Sequence, residues 1–232
     1  ESAKKGFQTI INEYVYIDSK NVETTFNYIP QISNLINGIG IDLGGGVSCI
    51  SSTLAKKDSV KKIYCVEISE DVVKLCHPIV KKEILKEKYH KVVSVIGDFD
   101  NLQLDDNLLD FAVSWDSIHH SVNPIKTLRE CKRVLKKNGI LIIVDRAHDN
   151  ATPDSEIERM LNIKYDESFL IKNHRPSDMI LTRRENGEHE YRFFEWKLFF
   201  QKSGFHLLDE FIFKTRTNDN MISKNNENIK EI

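Results

Sequence analysis

Short apolar segments alternate with longer amphipathic segments through most of the chain. The pattern predicts helices at 48–55, 70–87 and 124–136 and strands at 39–43, 62–67, 92–96, 111–115 and 140–145. Asn123 is a suitable N-cap with Pro124 at the first helical position, and Asn138-Gly139 is a typical helix stop. Strands that alternate with helices favour parallel β-α-β units. The sequence therefore predicts an α/β fold with a doubly wound, mostly parallel sheet.

Three segments lie outside this alternation. A helix over 22–36, broken near Pro30, belongs to a predicted N-terminal helical cap at 1–37. The charged segment 147–190 follows the fifth strand and is predicted to be an insertion or lid. A helix at 192–202 and a strand at 205–214 then complete the main domain, 38–217. The polar, Asn-rich segment 218–232 is predicted to be a tail and is a poor candidate for a further strand.

Composition narrows the class of protein. The chain has 232 residues, 40% of them hydrophobic, which suits one α/β domain with a closed core. The formal net charge of −2 gives no overall attraction to nucleic acid or to an anionic membrane surface. We therefore expect neither a nucleic-acid nor a membrane partner. The protein is expected to be a monomer or a homodimer.

Cysteine usage and the absence of long apolar runs indicate a cytoplasmic location. The four cysteines lie far apart without a C-x-x-C pair, so we interpret them as reduced thiols. No stretch approaches the roughly 18 continuous apolar residues that a membrane helix needs. The N-terminal segment 1–5 also lacks the apolar region of a signal peptide.

The first predicted strand ends in Asp42 and is followed by three consecutive glycines, Gly44, Gly45 and Gly46, before a helix opens at Ser48. Glycines allow a sharp turn with positive φ and leave room for a ligand to approach the backbone. The new helix presents free N–H groups and the positive end of its dipole. This loop is typical of a site for a nucleotide-type cofactor.

Residues that follow the other strands extend this site, because ligands of open parallel sheets bind at the carboxyl ends of the strands. Glu67 is placed to accept hydrogen bonds from two ribose hydroxyls, and Asp98 from the amine of adenine. Ile68 and Phe99 are candidates to sandwich the adenine ring. Each residue alone has a structural explanation, as a surface carboxylate or a core side chain. Their joint occurrence favours an adenosyl ligand.

Together these residues resemble the class I, Rossmann-like methyltransferases that use S-adenosylmethionine. The motif at 42–48 matches the family's acid and alternating glycines, except that Ser48 stands where a third glycine is usual. The resemblance continues through Glu67, the Gly97-Asp98 pair and the segments 110–120 and 128–139. It covers roughly residues 35–146 and, more weakly, 192–214. It implies S-adenosylmethionine as the cofactor, with Ser48, Ser114 and Trp115 also in the cofactor site.

A nicotinamide or flavin enzyme on the same kind of sheet is the main alternative. Its G-x-G-x-x-G fingerprint would require glycine at position 49, where this chain has Cys49. It also leaves Asp42 unexplained, since a carboxylate repels a pyrophosphate but attracts the ammonium group of a methionine moiety. The spacing therefore favours the sulfonium cofactor.

A histidine pair follows the fourth strand. The segment 114–120 resembles the corresponding stretch of phosphoethanolamine methyltransferases, in which the final histidine takes part in catalysis. The resemblance implies that His120 is the general base, with His119 as the alternative and Asp116 in the same catalytic set. A structural role for the pair is the competing interpretation. No metal is expected, because adjacent histidines point in different directions and no third histidine lies at ligand spacing.

The acceptor is expected to be a small molecule bound over the carboxyl edge of the sheet. Candidate covering segments are the N-terminal helices with Tyr14 and Tyr16, the insertion, and 192–200. His174-Arg175-Pro176 and Arg183-Arg184 are candidates for binding an anionic group, and a solvated charged loop is the competing explanation. We expect O-methylation of a sugar, a phosphate-bearing metabolite or another hydroxyl compound, with nitrogen the next acceptor atom. A cofactor-binding scaffold without turnover is the alternative.

Overall fold

A parallel five-stranded sheet forms the centre of the molecule in a computed structural model that describes residues 8–9, 11–172, 175–216 and 219–224. The sheet has the order β3-β2-β1-β4-β5, and every neighbouring pair is parallel. Its strands are β1 Gly38–Leu43, β2 Val60–Glu67, β3 Val92–Ile96, β4 Leu109–Trp115 and β5 Leu135–Val144. The order reverses between β1 and β4, which confirms the predicted doubly wound sheet.

Helices cover both faces of this sheet. They are α1 Ser19–Tyr28, α2 Pro30–Ser33, α3 Cys49–Ala55, α4 Glu70–Leu75, α5 His77–Leu85, α6 Pro124–Val134, α7 Asp154–Leu161, α8 Glu167–Lys172 and α9 Phe193–Ser203. A π-helical segment, Ile11–Asp18, precedes α1, and short 3₁₀ helices occupy Lys86–Lys91 and Ile118–His120.

The strands divide the hydrophobic core into two clusters because successive side chains point to opposite faces. Phe111 and Val113 of β4 lie in the cluster that contains α1, α3 and α5, whereas Ala112 lies in the cluster that contains α6 and α9. Trp196 of α9 is buried in the second cluster, and Phe199 and Phe200 of the same helix pack against it. The aromatic run of α9 is therefore mostly core-facing, as its helical spacing predicts.

Prolines divide two of the predicted helices. The segment 70–87 forms α4 and α5, with Cys76 between them and Pro78 in the first turn of α5. The segment 22–36 likewise divides into α1 and α2 at Pro30. Proline has no N–H and its ring clashes with the preceding turn, so a helix restarts at proline more easily than it passes through it. The prediction of a single helix over 70–87 was wrong, whereas the break predicted near Pro30 is present.

The end of the chain also differs from its prediction. Residues 205–212 have no regular secondary structure, and the strand predicted at 205–214 is instead the shorter β6, Phe213–Arg216. It pairs antiparallel with β7, Asp219–Lys224, in a hairpin separate from the main sheet. Part of the predicted tail therefore forms a strand, because its backbone finds hydrogen-bond partners in the preceding residues. Residues 1–7, 10, 218 and 225–232 of the predicted cap and tail lie outside the described residues.

The segment 147–190 follows β5 and lies outside the main sheet, where its described part carries α7 and α8. Leu161, Leu170 and Leu181 of this segment are buried. The segment is therefore packed and not fully solvated, whereas its status as an insertion or lid and the proposed domain boundaries stay predictions. In the described part of the chain, we find no helix with the length and apolar character needed to cross a membrane.

Candidate active site

The three glycines of the loop after β1 have different surroundings. A Cβ on Gly44, where φ is +71°, would lie 2.7 Å from Ser117 Cβ. A Cβ on Gly45 would lie 2.2 Å from the Cys65 sulfur. Gly46, with φ +51°, has no heavy atom within 4 Å of the corresponding position. Internal packing therefore requires glycine at the first two positions, and Gly46 borders the open space where a ligand can approach.

Asp42 lies behind this loop and anchors the helix that follows it. Its side chain is buried, and one carboxylate oxygen accepts hydrogen bonds from Ser51 N at 3.1 Å and Ser51 Oγ at 2.6 Å. The other oxygen has no hydrogen-bond partner among the described residues. Burial raises the pKa of Asp42 to about 6, although the Ser51 hydrogen bonds act in the opposite direction. At neutral pH the carboxylate therefore carries negative charge with one oxygen unpartnered.

Glu67, at the end of β2, contacts the glycine loop directly. Its Oε2 accepts the Gly46 N–H at 3.0 Å, and its Oε1 accepts the Ser69 N–H at 2.8 Å. Each carboxylate oxygen can accept more than one hydrogen bond. The structure thus brings together the acid and the glycine that the sequence assigns to one cofactor site.

The residues assigned to adenine lie beside this pair. Ile68 is 74% exposed, and the Asp98 side chain accepts the Asp100 N–H at 2.8 Å. Phe99 is half-buried and lies 3.5 Å from the position of a Cβ on Gly44. The ends of β2 and β3 are joined by a hydrogen bond from Gly97 N to the Glu67 carbonyl, at 3.0 Å. An apolar side chain, an aromatic ring and a carboxylate therefore adjoin the loop.

Three other residues assigned to the cofactor have partners inside the protein. Ser48 is fully buried with φ +68°, and its Oγ lies 3.4 Å from Ser52 Oγ. Ser114 Oγ lies 2.7 Å from Ser117 Oγ beneath the loop. The Trp115 ring packs against Phe26 of α1, with 6.3 Å between ring centroids. The structure gives these side chains packing roles, and their contact with the cofactor stays a prediction.

The two adjacent histidines occupy different environments. His119 is 1% exposed, and its Nδ1–H donates to Asp145 Oδ1 at 2.7 Å. His120 is exposed, and its Nδ1 lies 3.2 Å from the Gly187 carbonyl oxygen. The ring centroids are 4.2 Å apart. Sequence reasoning gave both histidines the same candidate role, whereas the structure leaves only His120 open to solvent.

His119 is held by charged partners on both ring nitrogens. Its Nε2 lies 3.4 Å from a Glu188 oxygen and 2.5 Å from Arg146 Nη2. These contacts are alternatives, since a protonated Nε2 donates to Glu188 and only an unprotonated Nε2 accepts from Arg146. Burial lowers the pKa of His119, but the Asp145 and Glu188 carboxylates raise it further, to about 9. The protonated form therefore dominates at neutral pH, and it cannot act as a base.

His120 has the properties of a neutral base. Burial of part of its ring and the positive charge of His119 lower the pKa of His120. With Nδ1–H donating to the Gly187 carbonyl, Nε2 is the unprotonated nitrogen. This tautomer is the one a base needs in order to accept a proton from a bound acceptor.

Three consecutive residues of the insertion contact the histidine pair. Besides the Gly187 carbonyl at His120 and the Glu188 carboxylate at His119, His189 Nδ1 donates to the His119 carbonyl at 2.8 Å. Glu188 also accepts from Tyr165 Oη at 2.9 Å. Sequence reasoning missed Glu188, because the charged pattern of this segment resembles that of a solvated loop.

Arg146 joins the carboxylates of this region. Its guanidinium lies 2.9 Å from Asp116 and 2.9 Å from Glu188. Asp145, which follows β5 directly, pairs with His119. Among the described residues, His119, His120 and Glu188 bring metal-ligand atoms together, as do Asp116, His119 and Asp145. A metal ion bound there would compete with the positive charge of Arg146 for the same carboxylates, which disfavours a metal.

The arginines assigned to an anionic substrate group are paired with carboxylates. Arg183 contacts Glu190, and Arg184 lies 2.6 Å from Glu158. Glu190 is buried and also lies 2.5 Å from His148 Nε2. Arg175 is exposed, and His174 lies outside the described residues. The structure therefore pairs Arg183 and Arg184 with carboxylates, and anion binding by Arg175 stays a prediction.

Protonation of His119 makes stability depend on pH. Raising the pH from about 7 to about 9 is expected to reduce the free energy of unfolding by about 2 kcal/mol. The pKa of His119 is higher in the folded protein, about 9 against an ordinary 6.5. Its contribution is therefore complete below the ordinary pKa and is lost as the pH rises through the folded value. Denaturant unfolding of the parent and of His119→Gln across this range measures the effect, and equal losses in both would contradict it.

The residues of the glycine loop fit S-adenosylmethionine. The open side of Gly46 gives the backbone access to a ligand, and Glu67 beside it has acceptor capacity for ribose hydroxyls. The unpartnered Asp42 oxygen supplies negative charge behind the loop for a cationic ligand. Ile68, Phe99 and Asp98 offer an apolar, an aromatic and a hydrogen-bonding surface for adenine.

Comparisons with known proteins agree with this fit. A family model described as a methyltransferase domain matches residues 41–143. Norajmaline N-methyltransferase from Rauvolfia serpentina is 29% identical over 57% of this chain and 42% of its own length. Sarcosine/dimethylglycine N-methyltransferase from Halorhodospira halochloris is 26% identical over 58% of this chain and 48% of its own. The chain thus spans less than half the length of these two curated relatives.

A solved structure supports the same fold. Geranyl diphosphate methyltransferase in complex with S-adenosylmethionine superposes with a TM-score of 0.57 at 12% identity, covering 85% of this chain and 68% of that one. The strand order, the loop after β1 and the family match agree with one another. Residues 41–143 thus match a methyltransferase domain, and this match supports a class I, Rossmann-like methyltransferase with S-adenosylmethionine as its cofactor.

Proposed function

We propose that this protein methylates a hydroxyl group of a small molecule and that His120 is the general base. The observation that carries the proposal is the state of the His120 ring, which is exposed at the carboxyl edge with its Nδ1 at the Gly187 carbonyl. Its lowered pKa keeps the ring neutral at physiological pH.

The chain's own residues bind, align and deprotonate in this reaction. S-adenosylmethionine, when bound, supplies an electrophilic methyl group on a sulfonium. His120 Nε2 accepts the proton of the acceptor hydroxyl and holds it as the imidazolium until it passes to water. Gly187 fixes the tautomer through Nδ1, and His119 fixes the neighbouring backbone through Asp145 and Glu188. Alignment of the acceptor supplies much of the remaining rate enhancement.

Sugars and other neutral hydroxyl compounds are the first acceptor class in this proposal. Arg183 and Arg184 pair with Glu190 and Glu158, so they give little support to a phosphate-bearing acceptor. Phosphate-bearing acceptors remain part of the proposal because Arg175 is exposed and carries a positive charge. We also propose a cytoplasmic location, which is supported by four cysteines that are free thiols.

An amine is the second candidate acceptor. Four carboxylates gather at this edge with three positive groups, the His119 imidazolium and the guanidinium groups of Arg146 and Arg183; the carboxylates are those of Asp116, Asp145, Glu188 and Glu190. Excess negative charge attracts a cationic amine from solution. The two curated relatives reported above are both named as N-methyltransferases.

A panel of sugars, sugar phosphates, polyols and small amines tests the proposal. Each compound is incubated with the protein and S-adenosylmethionine, and formation of the demethylated cofactor is measured. We expect turnover with hydroxyl compounds, and Glu67→Ala under the same conditions gives the background rate. Turnover with amines alone would favour the second candidate. No turnover across the panel, with cofactor binding intact, would favour a scaffold.

A further inference from the structure

We propose that His77 is a positioning residue for the cofactor, because its imidazole holds the Gly46 peptide of the glycine loop in place. Sequence reasoning did not select this histidine. It lies on α5, after β2, in a segment whose apolar pattern predicts only a packing helix.

The contact is short and buried. His77 Nε2 lies 2.7 Å from the Gly46 carbonyl oxygen, and the His77 residue is 1% exposed. His77 is the first residue of α5, so the helix fixes the position from which the ring reaches the loop. An N–H at Nε2 donates to the carbonyl, which places the unprotonated nitrogen at Nδ1.

Both backbone polar groups of Gly46, its N–H and its carbonyl, are thereby held by side chains. Its N–H donates to Glu67 Oε2 at 3.0 Å, and its carbonyl accepts from His77. Gly46 has φ +51° and borders open space on the side where a Cβ would project. A glycine without packed neighbours on that side samples many conformations. The two hydrogen bonds therefore select the conformation in which the loop adjoins Glu67.

The second ring nitrogen shows that packing alone does not explain this histidine. His77 Nδ1 is buried and has no hydrogen-bond partner among the described residues. Burial also lowers the pKa of His77, which favours the neutral ring. A leucine or phenylalanine would fill a buried site without leaving a polar atom unpartnered. The bond to Gly46 is the interaction that an apolar residue cannot make.

Calorimetric titration with S-adenosylmethionine and with its demethylated product tests the proposal. His77→Leu removes the donor, and His77→Gln places an amide N–H at a similar reach. We expect about tenfold weaker binding of both ligands by the leucine variant and binding within about twofold of the parent by the glutamine variant. His77→Asn, whose shorter amide does not reach the carbonyl, should resemble the leucine variant.

Val80→Ala is the matched control for stability. Val80 is fully buried on the same helix, so its truncation should lower the melting temperature and leave cofactor affinity unchanged. Parent-like affinity of both His77→Leu and His77→Asn would overturn the proposal. If His77→Leu fails to fold, the test is the comparison of His77→Asn with His77→Gln. Equal cofactor affinities of these two variants would overturn the proposal. Absence of binding by the parent would overturn it together with the cofactor assignment.

Discussion

Glu67→Ala is expected to weaken binding of S-adenosylmethionine by about 100-fold. Hydrogen bonds to charged groups contribute about 1.5–3 kcal/mol each, and each 1.4 kcal/mol is a factor of ten in affinity. In the predicted site, the two carboxylate oxygens of Glu67 accept from the two ribose hydroxyls. Its removal also frees the Gly46 N–H that it holds at 3.0 Å, so the loop loses one of its restraints. Calorimetric titration of parent and variant measures the change.

Glu70→Ala is the control for this experiment. Glu70 also carries negative charge, three positions along the chain in the first turn of α4, but it pairs with Lys74 on the exposed helix surface. Its removal should change cofactor affinity by less than about twofold, because exposed ion pairs contribute little. If Glu67→Ala bound the cofactor as tightly as the parent does, the assignment of this site would be wrong.

The arrangement around Glu67 was accessible from sequence because it depends on local patterns and one topological rule. Asp42 and the glycines indicate the end of the first strand, and Glu67 indicates the end of the second. A parallel sheet places all its carboxyl ends at one edge, so residues far apart in sequence meet there. The contact of Glu67 with Gly46 follows from that rule. The surroundings of Gly44 and Gly45 do not, because Ser117 and Cys65 reach them through tertiary packing.

The partners of the histidine pair were not accessible in this way. Glu188 belongs to a segment rich in both charges, and such a pattern normally indicates a solvated surface. In the structure its carboxyl is buried, and pairing with His119 and Arg146 more than offsets the effect of burial, lowering the pKa of Glu188 to about 2. The sequence shows which residues are charged but not which of them form ion pairs. The pairing depends on how the segment 147–190 folds.

His77 illustrates the same limit on the cofactor side. Its position in an amphipathic helix is typical of a packing residue, and no local motif links it to the loop. Proline in the first turn of α5 determines where that helix starts, and the start determines that His77 faces Gly46. The helix break that the sequence prediction missed therefore also conceals the contact.

Removing the His120 imidazole is expected to have the largest effect on catalysis. His120→Ala should lower kcat by about 10²–10⁴-fold, the range that a positioned general base contributes. Cofactor affinity should stay within about twofold of the parent, because Asp42, Gly46 and Glu67 are unchanged. Steady-state kinetics with an acceptor from the screen, together with calorimetry, separates the two quantities. Added imidazole should restore part of the rate in the alanine variant, since the missing group is a base.

The pH profile distinguishes a base from a structural histidine. The lowered pKa of His120 means that kcat should rise with pH through a value below the ordinary 6.5 and then level off, because only the neutral ring accepts a proton. That acid limb should be absent from His120→Ala. His90→Ala, which removes an exposed histidine of the 3₁₀ helix before β3, should retain the parental rate and profile. If His120→Ala kept the parental rate and the acid limb of the pH profile, His120 would be excluded from the mechanism. That result would favour an acceptor, such as a neutral amine, that needs no base.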